Sequence, residues 1–257
     1  ARSILGKEEN INKIKLIDLY NFHNNLYTPI NSCIAIAGKL PKNHLEIFKN
    51  CEFPESRKNL INSKQTFPDH KSIRTGKEIV FFKDIEFSRI YMAWQIPCSK
   101  DQKNILGYEI ISSILTDGRN SILKRSLKEE KQIVESIYSG IQQGEFGSLF
   151  IIEASLNKEN VQEVENIINN LLQKLLTTPN LNNKIKKALR IVKSNYIFNL
   201  ETSSQLSYYF GNHLLWGRKN PQIELSKNLK YWESTENLKI LINFLLQDKF
   251  TFIAHNK

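Results

Sequence analysis

Residues Phe87 to Ile96, F-S-R-I-Y-M-A-W-Q-I, decide the fold. Aromatic and branched residues crowd the stretch as they crowd strands. Asp101 then suits a helix N-cap. Ile105, Tyr108, Ile111, Ile114 and Leu115 recur at helical spacing until Asp117-Gly118 ends the run. Upstream, Glu78 to Lys83 reads as a partner strand. Downstream come a helix from Asn120 to about Lys131 and two strands, Ile133–Ile141 and Ser148–Leu156, with Gly144 and Gly147 in the turn between them. Asn157 or Asn160 opens a long helix through Leu176, and Pro179 stops it. Leu181 to Trp216 is a further helical stretch, expected to kink near Glu201–Ser204. Two helical segments and a strand, Phe250–Ala254, follow. Strands cluster in pairs and helices in runs, so the class is α+β with a largely antiparallel sheet.

The residues before this region organise separately. Ile14 to Tyr27 predicts an amphipathic helix, with Leu16, Leu19, Tyr20, His23 and Leu26 on one face. Thr28, Pro29 and Asn31 break it. Cys33 to Ala37, C-I-A-I-A, suits a buried strand, and Asn43 suits the cap of a helix through about Asn50. From Pro54 to Thr75 the chain is polar and without periodicity, as a linker is. The expected division is 1–54, a linker over 55–70, and 71–257.

Composition narrows the function classes. The 257 residues carry 36 Lys+Arg against 26 Asp+Glu, a formal net charge of +10. Lysine is dispersed, and neither an aromatic–basic motif nor zinc-finger spacing appears, which argues against a nucleic-acid partner. No apolar run reaches the roughly 18 residues that cross a bilayer, and Ala1 to Asn12 does not read as a signal peptide. Met92 is the only methionine, so the expectation is that Ala1 is not the encoded start. Cys33, Cys51 and Cys98 are odd in number and widely spaced, which suits small buried hydrophobes in a reducing cytoplasm or organelle matrix.

Four blocks in order resemble the insulinase/pitrilysin family of zinc metallopeptidases, above all its processing-peptidase-like branch. S-I-L-G-K-E-E-N-I at Ser3–Ile11 looks like the family's P-I-L-G-x-x-E-x-I. Leu19–Gly38 is similar to the helix, Y-x-P-x-N turn and strand that end the family's N-terminal domain. Ile90–Gly118, running on into I-L-T-D-G-R-N-S, resembles the strand and helix before I-L-G-x-G-x-x-S-R-L. L-K-R-S-L-K-E-E-K-Q-I-V at Leu123–Val134 resembles L-x-x-x-L-R-E-x-x-x-L-V.

The resemblance implies a metallopeptidase half: related domains, each a sheet with helices on one face, that together enclose a chamber. Residues 1–54 would be the tail of the N-terminal peptidase-like domain and 71–257 a C-terminal one. The family's H-x-x-E-H motif supplies two zinc ligands and a general base. No pair among His23, His44, His70, His213 and His255 has that spacing, so this chain is expected to hold no metal or cofactor of its own. His23 and His213 read as packed histidines, and the other three as surface or cap positions. Zinc is expected only in the complete enzyme, from an N-terminal catalytic half or a partner subunit of the family.

The resemblance also implies a substrate contact, since active members reach across the chamber with an Arg and, seven residues on, a Tyr. Lys128 and Glu135 fall at those positions here. Lysine keeps the charge without the guanidinium fork, and an ionised glutamate donates no hydrogen bond. Arg119 and Arg125 lie near enough in sequence to replace the cation. Phe81, Phe82, Phe87, Tyr91 and Trp94 offer a peptide-binding surface or, more simply, a sheet core. The function so implied is chamber closure around an extended peptide, with no nucleic acid or membrane partner. The alternative is an inactive structural relative.

Overall fold

The computed structural model describes residues 5–49, 74–218 and 221–256. Among them, five strands form one sheet: β1 (Gly76–Phe82), β2 (Ser88–Ile96), β3 (Ser136–Gln142), β4 (Ser148–Leu156) and β5 (Phe250–Asn256). Their order across the sheet is β1-β5-β2-β4-β3. Only β1 and β5 pair parallel, with Gly76 opposite Phe250, and the other three pairings are antiparallel. The α+β, largely antiparallel class follows.

The helices are α1 (Glu8–Ile11), α2 (Leu16–Leu26), α3 (His44–Lys49), α4 (Gln102–Thr116), α5 (Val161–Thr177), α6 (Leu181–Phe198), α7 (Ser203–Leu215), α8 (Pro221–Tyr231) and α9 (Thr235–Phe244). Contacts divide the chain into two compact units: Ala1–Phe67 with Ser203–Leu215, and Pro68–Thr202 with Trp216–Lys257.

The second unit holds the sheet and the core. Period-two alternation turns Ser88, Ile90, Met92, Trp94 and Ile96 of β2, and Phe150, Ile152, Ala154 and Leu156 of β4, into the core. α4 and α5 pack on the sheet, and α6 and α9 pack against them. On α5 the buried residues are Val161, Val164, Ile168, Leu172 and Leu175, and on α6 Leu181, Ile185, Ala188 and Val192. Both sets recur at three and four, the spacing of one helical face. Asp101 caps α4, its Oδ1 accepting from Asn104 N–H at 3.1 Å. Within α4, Gly107 gives room to a close crossing: a Cβ there would lie 2.5 Å from Leu241 Cδ1 and 2.6 Å from Trp232 Cζ2.

Three expectations are corrected, two of them in the first unit. Cys33–Ala37 forms no strand among the described residues, and Ile34 and Ile36 are exposed. A strand needs a ladder, and here the segment lies against a helix instead. Cys33 Sγ donates to the Gly211 carbonyl of α7 at 3.2 Å, and a Cβ on Gly211 would stand 3.3 Å from that of Ala35. Cys33 is therefore not the buried hydrophobe expected of it. The single stretch expected over Leu181–Trp216 is two helices, since α6 ends at Phe198 and α7 starts at Ser203 in the other unit. The linker, Cys51 and His70 lie outside the described residues.

Candidate functional site

The predicted helix after Asn120 is real in part and differs in kind. Its residues from Lys124 to Glu130 are wound as a π-helix, whose backbone bonds run from i+5 to i. Leu123 and Leu127 are fully buried and anchor it, leaving Arg125, Lys128 and Glu130 exposed. The Lys131 N–H reaches the Ser126 carbonyl at 3.1 Å, and that of Ile133 reaches the Leu127 carbonyl at 3.0 Å. Gln132, at φ 53°, turns the chain into β3. That left-handed conformation costs a non-glycine residue about 1–2 kcal/mol.

Lys128 and Glu135 come together around this turn. Lys128 Nζ donates to the Glu135 carbonyl at 2.7 Å, while the Glu135 N–H extends the β3–β4 ladder to the Ser155 carbonyl at 2.8 Å. Arg125 lies on the same π-helix as Lys128 and Arg119 in the turn before it, and carboxylates of that helix hold both. Arg119 Nη2 is 2.8 Å from Glu129 Oε2, and Arg125 Nε is 2.7 Å from Glu130 Oε1. Each of the three cations thus has an oxygen partner.

The other face of the sheet carries polar groups that the sequence reading passed over. Opposite the core, β2 presents Arg89, Tyr91, Ala93 and Gln95, all exposed or half-buried. The register sets Tyr138, Glu153, Tyr91 and Phe252 side by side across four strands. Arg89 Nη1 stands 4.0 Å from Glu153 Oε1. A hydrogen bond with Tyr91, aided by the Glu153 charge, holds the Arg89 guanidinium above its ordinary pKa. The signal was available: strict alternation in F-S-R-I-Y-M-A-W-Q-I separates Arg89 and Tyr91 from Ile90 and Met92. The expected aromatic surface divides accordingly. Trp94 is core, Tyr91 and Phe87 are half-buried, and Phe81 and Phe82 are exposed on the edge strand β1.

Beside the β3 edge lies a cavity of about 370 Å³ between α4 and α6. Glu109 lines it, half-buried, with the Tyr196 hydroxyl donating to Glu109 Oε2 at 3.0 Å. Burial pushes the carboxyl up to about 7, against the opposing pull of Tyr196 and Arg218.

The described histidines do not converge. Among the described residues no three His, Cys, Asp or Glu are grouped to hold a metal ion. His44 is half-buried at the start of α3, its Nδ1 2.8 Å from the Pro41 carbonyl. His213 is buried, against Tyr209 at 4.5 Å between ring centroids. His23 is exposed and stacks on Tyr27, because nothing described covers its helix face. His255, expected at the surface, is buried on β5, with Nδ1 3.0 Å from Ser88 Oγ. Desolvation, then Lys158 and Lys77, lower its pKa. No helix among the described residues is long and apolar enough to cross a membrane.

A five-stranded, largely antiparallel sheet clad by helices on one face is the architecture of one half of an insulinase/pitrilysin-type metallopeptidase. The Peptidase M16 inactive domain family matches residues 13–190, more than half of the chain, and the chain belongs to that family. It is 24% identical over 220 residues to the zinc protease PqqE of Helicobacter pylori, taking in 82% of this chain and 48% of that protein. A solved protease from Helicobacter pylori superposes with a TM-score of 0.71 at 20% identity, over 97% of this chain and 61% of that one. A peptidase M16 inactive domain from Pseudomonas fluorescens gives 0.69 at 14% identity, over 98% and 60%. The chain spans about half the length of PqqE. The likeness to the two solved chains is one of fold.

Proposed function

We propose that this chain is the half of a zinc-dependent peptidase that carries no zinc, closing a chamber around an extended peptide whose catalytic site another segment or subunit supplies. The first unit carries the reading. No residue of α2 is buried, and Leu16, Ile17, Leu19, Tyr20 and Phe22 are all more than half exposed. An apolar surface of that extent marks an interface. Covering it contributes about 1–3 kcal/mol for each large side chain buried. A catalytic half of the same family is the partner that fits.

In that assembly the bare sheet face with Arg89, Tyr91 and Glu153 turns toward the peptide. Lys128, helped by Arg119 or Arg125, supplies positive charge where a carbonyl oxygen becomes negative. In this reading the attacking water and its base come from the catalytic half. The protein works in a reducing compartment, cytoplasm or organelle matrix, consistent with Cys33 and Cys98 both being free thiols.

A second reading is a catalytically inactive structural relative. It is favoured by the Glu135 carbonyl already holding Lys128, and by Glu135 standing where the family's tyrosine is expected. One experiment separates the two. The protein is purified from its whole gene together with any bound partner, and zinc content and cleavage of an unstructured peptide are measured. Stoichiometric zinc with cleavage is expected. A stable assembly that holds no zinc and cuts nothing leaves only the structural reading.

A further inference from the structure

α6 is unusual among the helices in the sign of its charge. Lys184, Lys186, Lys187, Arg190 and Lys193 fall within its 18 residues, and it has no acidic residue at all. Lys186 and Arg190 are four apart, and Arg190 and Lys193 three, so like charges sit side by side and repel. Among the described residues none of these cations forms an ion pair. A solvated helix face ordinarily intersperses acids among its lysines, as Glu236 and Lys239 do on α9 at 2.9 Å.

The unpaired charges line a recess. Lys186, Arg190 and Lys193 of α6 face Lys230 of α8 across a cleft of about 560 Å³. Its floor is Leu189 and Leu229, half-buried leucines resting on the core. Glu233 is the one acidic residue in the lining. The cleft therefore combines four positive charges with an apolar base.

We infer that this cleft docks an acidic amphipathic helix of a partner protein. The three α6 cations spread along roughly 10 Å of helix axis, about two turns. That matches carboxylates at i, i+4 and i+7 of an incoming helix, with an apolar residue between them reaching the leucines. A phosphate group fits less well, because it wants donors converging on one point, including free backbone N–H groups. The α6 and α8 positions lining the cleft have theirs committed within the helices. A flat membrane surface fits less well still, because Leu189 and Leu229 lie at the bottom of a recess.

The test is binding of a labelled helical peptide of roughly 15 residues to the full protein, read by fluorescence anisotropy. The probe carries Glu at i, i+4 and i+7 and Leu at i+3. Micromolar binding is expected, weakened at least about tenfold by the double change Lys186→Glu with Arg190→Glu. Lys184→Glu with Lys187→Glu makes the same charge change on the same helix outside the cleft, and binding should stay within about twofold. A scrambled probe of equal charge should bind at least about tenfold more weakly than the designed one. Equal losses from the two double variants, or equal binding of the scrambled probe, reduce the effect to net charge and overturn the proposal. So does tripolyphosphate, or a phosphatidylserine vesicle, binding this cleft while the peptide does not.

Discussion

Arg125 and Glu130 are joined by a 2.7 Å contact between Nε and Oε1 although they lie five positions apart. On an α-helix a five-residue step turns about 140° away from its start, so such side chains point apart. The π-helix from Lys124 to Glu130 is what brings them together. The pair is a consequence of the winding rather than its cause, since both side chains are largely exposed.

Arg125→Ala should therefore change stability by less than about 0.5 kcal/mol, as exposed pairs generally do. Leu127→Ala, which empties a fully buried anchor of the same turn, should cost about 2–5 kcal/mol. Urea unfolding of both variants checks the contrast. Comparable losses would mean that the ion pair, and not the leucine, holds the π-turn.

Replacing Gly107 tests the α4 crossing. Alanine inside a helix ordinarily gains about 1 kcal/mol over glycine. Here the added methyl would meet Leu241 and the Trp232 ring. Overpacking of this kind costs about 1–3 kcal/mol, so Gly107→Ala should be destabilising on balance. A rise in thermal midpoint would show that Trp232 yields freely.

Glu109 gives stability a definite pH slope. Its folded pKa of about 7 lies above the ordinary value of 4.5, so the native state binds the proton more tightly than the unfolded chain does. Stability is then fullest below the unfolded value and declines as pH rises through the folded one, by about 1–3 kcal/mol. Unfolding measured at about pH 5 and about pH 8 should show this decline, and Glu109→Gln should remove it. A variant that keeps the whole slope would place its origin in another group.

Lys128 is tested in the assembled protein. If its ammonium stabilises charge on the substrate, Lys128→Met should lower kcat/KM about 100-fold while leaving unfolding unchanged. Lys128→Arg should retain most of the activity, because charge is kept. Equal activity in wild type and methionine variant would return Lys128 to a helix-end contact with Glu135.

Most of the sheet was legible because its residues announce a period. β2, β4 and α4 each lie within a residue or two of the stretch expected, since burial on one face imposes alternation or helical spacing directly on the sequence. Three features were not legible, each for a physical reason. C-I-A-I-A has strand composition, but strand formation depends on a ladder partner that lies elsewhere in sequence or outside the described chain. The π-winding leaves leucines four apart, as an α-helix also does, so spacing alone cannot separate them. His255 sits in H-N-K, the polar end of the last strand, and the interior place of β5 between β1 and β2 buries it. Of the site, Lys128 and Glu135 were found by motif, whereas Arg89 and Glu153 needed the cross-strand register to meet.

The place of β5 also has a consequence for synthesis. It lies between β1 and β2, yet it follows them in sequence by more than 150 residues. A ribosome adding about 5–20 residues each second needs on the order of ten seconds or more to cover that distance. Through that interval β1 has no ladder neighbour and β2, joined by β4 only once Leu156 is made, keeps its other edge open, leaving a slot one strand wide in the nascent molecule. Any β-prone segment from an adjacent polysome could occupy the slot first. Pairing that spans so many residues is intrinsically slow, so this slot is where the nascent chain is most exposed to aggregation.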